Sequence, residues 1–365
     1  MSFLNNLFKK FQLPEKKTFQ LPEDPVERIR MLNLLGGLHI SKGDFERAYE
    51  CFKRAQKECE YLQDPELTAA TLNNIGELHR NRSEYSKALD YYQKAIEIYE
   101  RIQKTELSGR TLNNIGLVLS VLCEFERAEH YYQRAISATE KRGDIVGLAK
   151  SLSGIAGIYR RRGERQRALE NYLRAANYVK EGDDMAELAT VLNNIGLWYQ
   201  EDSRPELALN YYKQALAIHE KANDKAMIGS TLINMGTIFY EIGDFDLASE
   251  HLNRALAIHT QLGNIYMQAT TLHHLGIFFH KQRDYSKAIK HYQNALRMRE
   301  QIGNAEGIMA TSWNIACMYE QMGKQMDAIS LVEKCIEIAR KIGNQDIDQF
   351  TTALKAMKAK LQKLH

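Results

Sequence analysis

Along residues 71–104 the apolar positions change rhythm once. Leu72, Ile75, Leu78 and His79 are spaced three, three and one apart, the stripe of an amphipathic helix. A polar break follows at residues 81–83. Tyr85, Ala88, Leu89, Tyr92, Ala95, Ile96 and Tyr99 then mark a second helix at i, i+3, i+4, i+7 spacing. The stretch predicts a helical hairpin, and the pattern returns every 40 residues. Gly36, Gly76, Gly116, Gly196, Gly236 and Gly276 share one slot, with Ala156 and Ala316 in the two remaining copies. Twelve residues later alanine stands in all eight copies, and seven further on it stands in seven, with Cys335 in the eighth. Such small residues let neighbouring helix backbones approach where a larger side chain would wedge them apart. Two positions after the glycine the residue is always apolar, from Leu38 and Leu78 through Trp198 to Met318. A fixed period of this size predicts an all-α solenoid of stacked hairpins rather than one globular core.

The punctuation agrees. Gly143-Asp144, Gly263-Asn264, Gly303-Asn304 and Gly343-Asn344 close second helices with a residue that tolerates left-handed backbone. Asp183-Asp184 and Asn223-Asp224 serve less well in the same place. Pro205 falls in a turn inside a copy. Asp24-Pro25 reads as the N-cap and first residue of the first helix. The organisation that follows is an arm over 1–24, eight copies over 25–348 (the first drawn as 29–68, the last as 309–348) and a capping helix over 349–365. The cap would bury Phe350, Leu354, Met357 and Leu361 and turn Lys355, Lys358, Lys360 and Lys363 to water.

Composition narrows the function. Charged residues are 26% of the 365, of mixed sign, with a formal net charge of +3. That argues against nucleic acid as a partner, which would call for a basic face. No apolar run approaches the length of a membrane span, and no secretory signal is evident. The five cysteines are odd in number and include no Cys-x-x-Cys, so they predict free thiols in a reducing compartment and a cytoplasmic protein. No phosphate loop, nucleophile elbow or zinc-protease pattern occurs, so neither an enzyme nor a cofactor is expected. His273, His274 and His280 lack the spacing of a metal site and are expected to be groove histidines.

Leu112, Ile115, Gly116, Ala128, Tyr132 and Ala135 stand in the order of the tetratricopeptide repeat (TPR), which this chain resembles over residues 29–348. The 40-residue period without a terminal proline is similar to the long-repeat variant of kinesin light chains and Leu-Gly-Asn-repeat proteins, and bacterial peptide-sensing regulators use similar repeats. The resemblance implies a right-handed α-solenoid of eight TPR hairpins whose first helices line a concave, peptide-binding groove. Carried over slot by slot, it singles out two positions in each first helix. The slot three before the glycine holds Asn73, Asn113 and Asn193, with Asn33, Ser153, Ile233, His273 and Trp313 in other copies. The next holds Asn74, Asn114, Asn194, Asn234 and Asn314, broken by Gly154 and His274. Asparagine is a mediocre helix former, so its recurrence mid-helix needs a cause. A carboxamide both donates and accepts, and a ladder of them would hold an extended backbone without demanding particular side chains. The alternative is that these asparagines bond across to the next copy. Arg80, Arg110, Lys150, Arg160 and Arg161 suggest a groove basic toward its N-terminal half, fit for an acidic segment, with Glu201, Glu241 and Glu320 beyond. The carboxylate clamp of some relatives is not matched, since Gly154 stands where a basic residue would follow Lys150.

The arm carries Phe3, Leu4, Leu7, Phe8 and Phe11, then Phe-Gln-Leu-Pro-Glu twice, at 11–15 and 19–23. A flexible tail, docking on its own or a neighbour's array, and attachment to a membrane surface all remain open for it. The leading expectation is an adaptor or scaffold that binds a protein or peptide ligand. The alternatives are a regulatory sensor switched by ligand or by the arm, and a structural subunit that self-associates through the arm.

Overall fold

The computed structural model describes residues 21–344 and 346–362, in which the chain is built of seventeen α-helices and one short 3-10 turn, Thr105–Ser108. The hairpins are α1 (Pro25–Ser41) with α2 (Phe45–Leu62), α3 (Pro65–Asn81) with α4 (Tyr85–Arg101), and α5 (Gly109–Val121) with α6 (Phe125–Arg142). They continue with α7 (Ile145–Arg161) and α8 (Arg165–Glu181), α9 (Met185–Glu201) and α10 (Pro205–Lys221), and α11 (Lys225–Glu241) and α12 (Phe245–Gln261). The last are α13 (Ile265–Lys281) with α14 (Tyr285–Gln301) and α15 (Ala305–Gln321) with α16 (Gln325–Ile342), followed by the single helix α17 (Ile347–Gln362). No strand occurs among the described residues. The first hairpin starts at Pro25, ahead of the first apolar slot, because the Asp24 carboxylate accepts the Glu27 N–H at 2.9 Å and proline takes the first helical position.

Beneath the 40-residue period lies one of 20. Left-handed backbone recurs at 43, 63, 83 and every twentieth residue to 343. Glycine fills eight of these sixteen positions; Gln63, Ser83, Gln103, Cys123, Asp183, Ser203, Asn223 and Arg283 fill the others, at a cost of about 1 kcal/mol each. The residue after this position is the N-cap of the next helix. Asp44, Asp64, Asp144, Asp184, Asp224, Asp244, Asn264, Asp284 and Asn304 each accept the backbone N–H three residues on. In Gly263-Asn264, then, the glycine ends one helix and the asparagine starts the next.

Each second helix packs on its own first helix and on the first helix of the next hairpin. First helices also touch one another, whereas second helices make no comparable mutual contact. That asymmetry draws the first helices together and puts them on the concave side. The glycine slot has a more specific cause than close backbones. A Cβ there would lie 2.3 Å from the Phe52 ring at Gly36, and 2.5, 2.9, 2.6 and 2.5 Å from the tyrosine sixteen residues on at Gly76, Gly116, Gly196 and Gly276. These rings (Phe52, Tyr92, Tyr132, Tyr212 and Tyr292) are buried in the centre of each hairpin. In the eighth copy, where the slot is Ala316, the residue sixteen on is the smaller Val332, whereas the fourth copy keeps Ala156 with the buried Tyr172 sixteen on and Gly236 faces Leu252.

The ends are closed differently. Phe350 and Met357 of α17 are buried beside Val332, Ile336 and Ala339, Leu354 and Leu361 are half-buried, and Lys355, Lys358 and Lys360 are exposed. At the other end Leu21 packs on Ile29, Leu32, Ala55 and Cys59, while Arg28 donates to the carbonyls of Pro22 and Glu23 and pairs with Glu58 at 2.8 Å. The apolar face from Phe3 to Phe11, the first pentapeptide and Lys363 lie outside the described residues. Among the described residues no helix is long and apolar enough to cross a membrane.

Candidate functional site

The two asparagine slots part company. The slot three before the glycine faces the seam between neighbouring first helices. Asn33 Nδ2 donates to Thr71 Oγ1 at 2.9 Å, Asn193 Nδ2 to Thr231 Oγ1 at 3.0 Å, and Asn113 Nδ2 to the Gly147 carbonyl at 3.4 Å. Asn73 is buried and its Oδ1 accepts from Asn114 Nδ2 at 3.0 Å. These carboxamides stitch copy to copy. In the seventh copy His273 takes the place. Its Nε2 accepts from Asn314 Nδ2 at 3.1 Å and its Nδ1 lies 3.3 Å from Thr311 Oγ1. Burial first, and then the Arg299 charge, hold its pKa down at about 3. Arg299 is itself buried and donates to the Gly307 carbonyl at 2.8 Å.

The slot two before the glycine is half-buried. Asn74 Oδ1 accepts from Arg110 at 3.2 Å, and Asn114 and Asn314 donate into the seam. The side chains of Asn194 and Asn234 make no hydrogen bond to other described residues. The break at Gly154 has a packing cause, since a Cβ there would sit 2.4 Å from the Tyr132 ring of the preceding copy. At His274 the ladder continues as an imidazole, kept neutral by burial and the Arg299 charge at a pKa of about 4.

The five basic residues are all engaged. Arg110 pairs with Glu77 at 2.8 Å and Arg80 with the same carboxylate at 3.7 Å. Lys150 reaches Glu187 at 3.7 Å; burial pushes that carboxyl's pKa up against the pull of the lysine. Arg160 pairs with Glu201, and Arg161 donates to the Ser120 carbonyl at 2.7 Å. Gln200 to Glu241 at 2.7 Å and His280 to Gln321 at 2.9 Å repeat the Arg160–Glu201 rung, each 41 residues apart. None of these five side chains is therefore a free cation: four are paired with carboxylates and Arg161 is held by a carbonyl.

Two kinds of position escaped sequence reasoning. The slot after the glycine holds Leu117, 40% exposed, and the half-buried Leu197, Thr237 and Ile277, one helical turn from the open asparagines. The threonines at 71, 231 and 311 receive the seam asparagines and histidine; their recurrence at 40-residue spacing was the available signal. All five cysteines are free, with Cys59 and Cys335 buried and the Cys335 thiol pushed up to about 12 by that burial. Among the described residues no three His, Cys, Asp or Glu side chains gather as a metal ion requires.

A family profile described as tetratricopeptide repeat matches residues 27–101, 107–181, 187–261 and 267–341. No curated protein matches the chain. Among solved structures, a Rap protein complexed with Competence and Sporulation Factor superposes with a TM-score of 0.66 over 93% of this chain and 92% of its own, at 15% identity. The Rap conjugation gene regulator of the plasmid pLS20, in complex with a Phr peptide, gives 0.60 over 88% and 97% at 14% identity. Aspartyl phosphate phosphatase F from Bacillus subtilis gives 0.58 over 88% and 96% at 13% identity. At such identities the likeness is one of fold.

Proposed function

The chain belongs to the tetratricopeptide-repeat family, and from that premise we propose that it is a non-enzymatic adaptor which holds an extended peptide segment of a partner protein in its concave groove. The observation that carries this reading is the pair Asn194 and Asn234. Two half-buried carboxamides stand on successive first helices, facing the groove, with no partner among the described residues. A carboxamide so placed can donate to a peptide C=O and accept from a peptide N–H, whatever the side chains. Asn74, Asn114 and Asn314 extend the line, each with part of its capacity already used. Asn73, Asn113 and Asn193 serve it from behind by holding neighbouring first helices in register.

Leu197, Thr237 and Ile277 offer the apolar contacts a bound segment would bury. An acidic side chain would have to compete with Glu77 or Glu201 for its arginine, so charge here selects register more than it adds affinity. Five free thiols suit a reducing, cytoplasmic setting. A regulatory-sensor role is the second reading. Two solved neighbours of this fold are described as bound to a factor or a peptide, one of them a gene regulator.

The test is capture of partners from native lysate by the intact chain and by an Asn194→Ala/Asn234→Ala variant, read by mass spectrometry. A partner held by the first and lost by the second, at equal thermal stability, supports the groove. Partners held equally by both would move the binding surface elsewhere.

A further inference from the structure

A solenoid is held by nearest-neighbour contacts alone, so its pitch is soft unless distant copies touch. Here they do. Tyr85, at the start of α4, donates its hydroxyl to Glu306 Oε2 of α15 at 2.7 Å, across 221 residues of sequence. Ile302, in the turn between α14 and α15, belongs to the same apolar cluster as Phe45, Phe52 and Leu78. Its Cγ2 would lie 3.3 Å from a Cβ on Gly43.

The repeat supplies an internal control. Residues in the same slot of other copies give the comparison for the burial at this contact. Ile302 is 4% exposed, whereas Ile102 and Leu262 in its slot are only half-buried. Phe45 and Tyr85 are each 6% exposed, whereas Phe245 in theirs is 46% exposed. Asn304 is buried where Asn264 is half-buried. Gln325 of copy 8 is equally buried away from this contact, but Phe45, Tyr85, Ile302 and Asn304 lie on two facing edges: the turns inside copies 1 and 2, and the turn between copies 7 and 8.

We propose that this contact is a latch that closes the solenoid on itself, with Ile302 as its plug and Tyr85–Glu306 as its polar clasp. Its far side is prepared for the role. Asn304 caps α15 through Gly307 N–H, and Arg299 ties the Gly307 carbonyl, so the turn that carries Ile302 and Glu306 is stiff. The closure is not a dry core. A cleft of about 500 Å³ runs between Asp44, Glu46 and Arg82 on one edge and Glu300 and Gln301 on the other. A contact of Ile302 with the neighbouring Ile265, one hydrogen bond and a charged rim is small enough to open without unfolding any hairpin. The latch sets the aperture of the concave face whether or not that face binds a peptide.

Small-angle X-ray scattering of the full chain tests it, alongside circular dichroism. Ile302→Asp is expected to raise the radius of gyration and the maximum dimension with no loss of helical signal. Ile102→Asp, the same slot without a distant partner, is expected to leave both dimensions unchanged. Unchanged dimensions in a folded Ile302→Asp, or equal expansion in the control, would overturn the latch. Should Ile302→Asp lose helix, Glu306→Ala at an exposed site decides the matter by hydrogen exchange. Amides around 43–46 and 302–306 are expected to exchange faster together, and a response confined to the mutated side would refute the proposal.

Discussion

Replacing Gly76 and Gly37 by alanine puts the packing account to a quantitative test, because one chemical change should have opposite signs at two sites. Both glycines lie inside helices, Gly76 in α3 and Gly37 in α1. Each gains about 1 kcal/mol in helix propensity on becoming alanine. At Gly37 the new methyl meets nothing within 4 Å and the site is exposed, so that gain stands alone. At Gly76 the methyl would lie 2.5 Å from Tyr92 Cε1 and 2.6 Å from Cδ1, closer than any real Cβ approaches a neighbour. Tyr92 is fully buried, so its ring can move only by disturbing the hairpin core. Overpacking of this kind costs roughly 1–3 kcal/mol. The propensity term cancels between the variants, so Gly37→Ala should be the more stable of the two by about 1–3 kcal/mol. Urea denaturation followed by circular dichroism gives the midpoints. Because a linear array need not unfold in two states, hydrogen exchange in α3 and α4 should locate the loss. Equal shifts for the two variants would refute the claim that the ring dictates the glycine.

Other outcomes follow from the same physics. His259 is fully buried and its ring meets only the Gly229 backbone as a polar neighbour, so His259→Leu should be neutral or stabilising in thermal melts. Burial holds the pKa of His259 at about 4 and of His273 at about 3, below the ordinary 6.5. The unfolded chain therefore takes up protons that the folded one refuses, and stability should fall as pH drops from about 6.5 toward 4, with the amides of α12 to α14 loosening first in hydrogen exchange. Arg283→Gly should raise the urea midpoint slightly, since a left-handed φ of 63° strains arginine and not glycine. Truncation before α17 should bare Trp313, whose ring centroid lies 5.0 Å from that of Phe350, and selectively weaken the last hairpin.

How much of this was legible in the chain depended on periodicity. The helical hairpins could be read because Gly36 to Gly276 and the alanines after them repeat at fixed spacing. The 20-residue half-period was masked, because residues such as Gln63, Cys123 and Arg283 occupy the left-handed position without announcing it. The asparagine pair was read as one ladder, although Asn193 and Asn194 project differently by a single helical step. Only the position of Thr231, 38 residues on, separates a seam residue from a groove residue. The basic stripe was visible, but its neutralisation was not, since Arg160 meets Glu201 and Arg110 meets Glu77 only once the copies stack. The contact of Tyr85 with Glu306 follows no period at all, which is why nothing in the sequence pointed to it.

The central claim is that Asn194 and Asn234 hold a peptide backbone. Calorimetric titration of a peptide enriched from a random library, against the intact chain and against Asn194→Ala/Asn234→Ala, tests it most directly. Each lost neutral hydrogen bond is worth about 0.5–1.5 kcal/mol, so two should weaken binding roughly 5- to 150-fold, at unchanged thermal stability. An enriched peptide that binds both proteins with the same affinity would contradict the account.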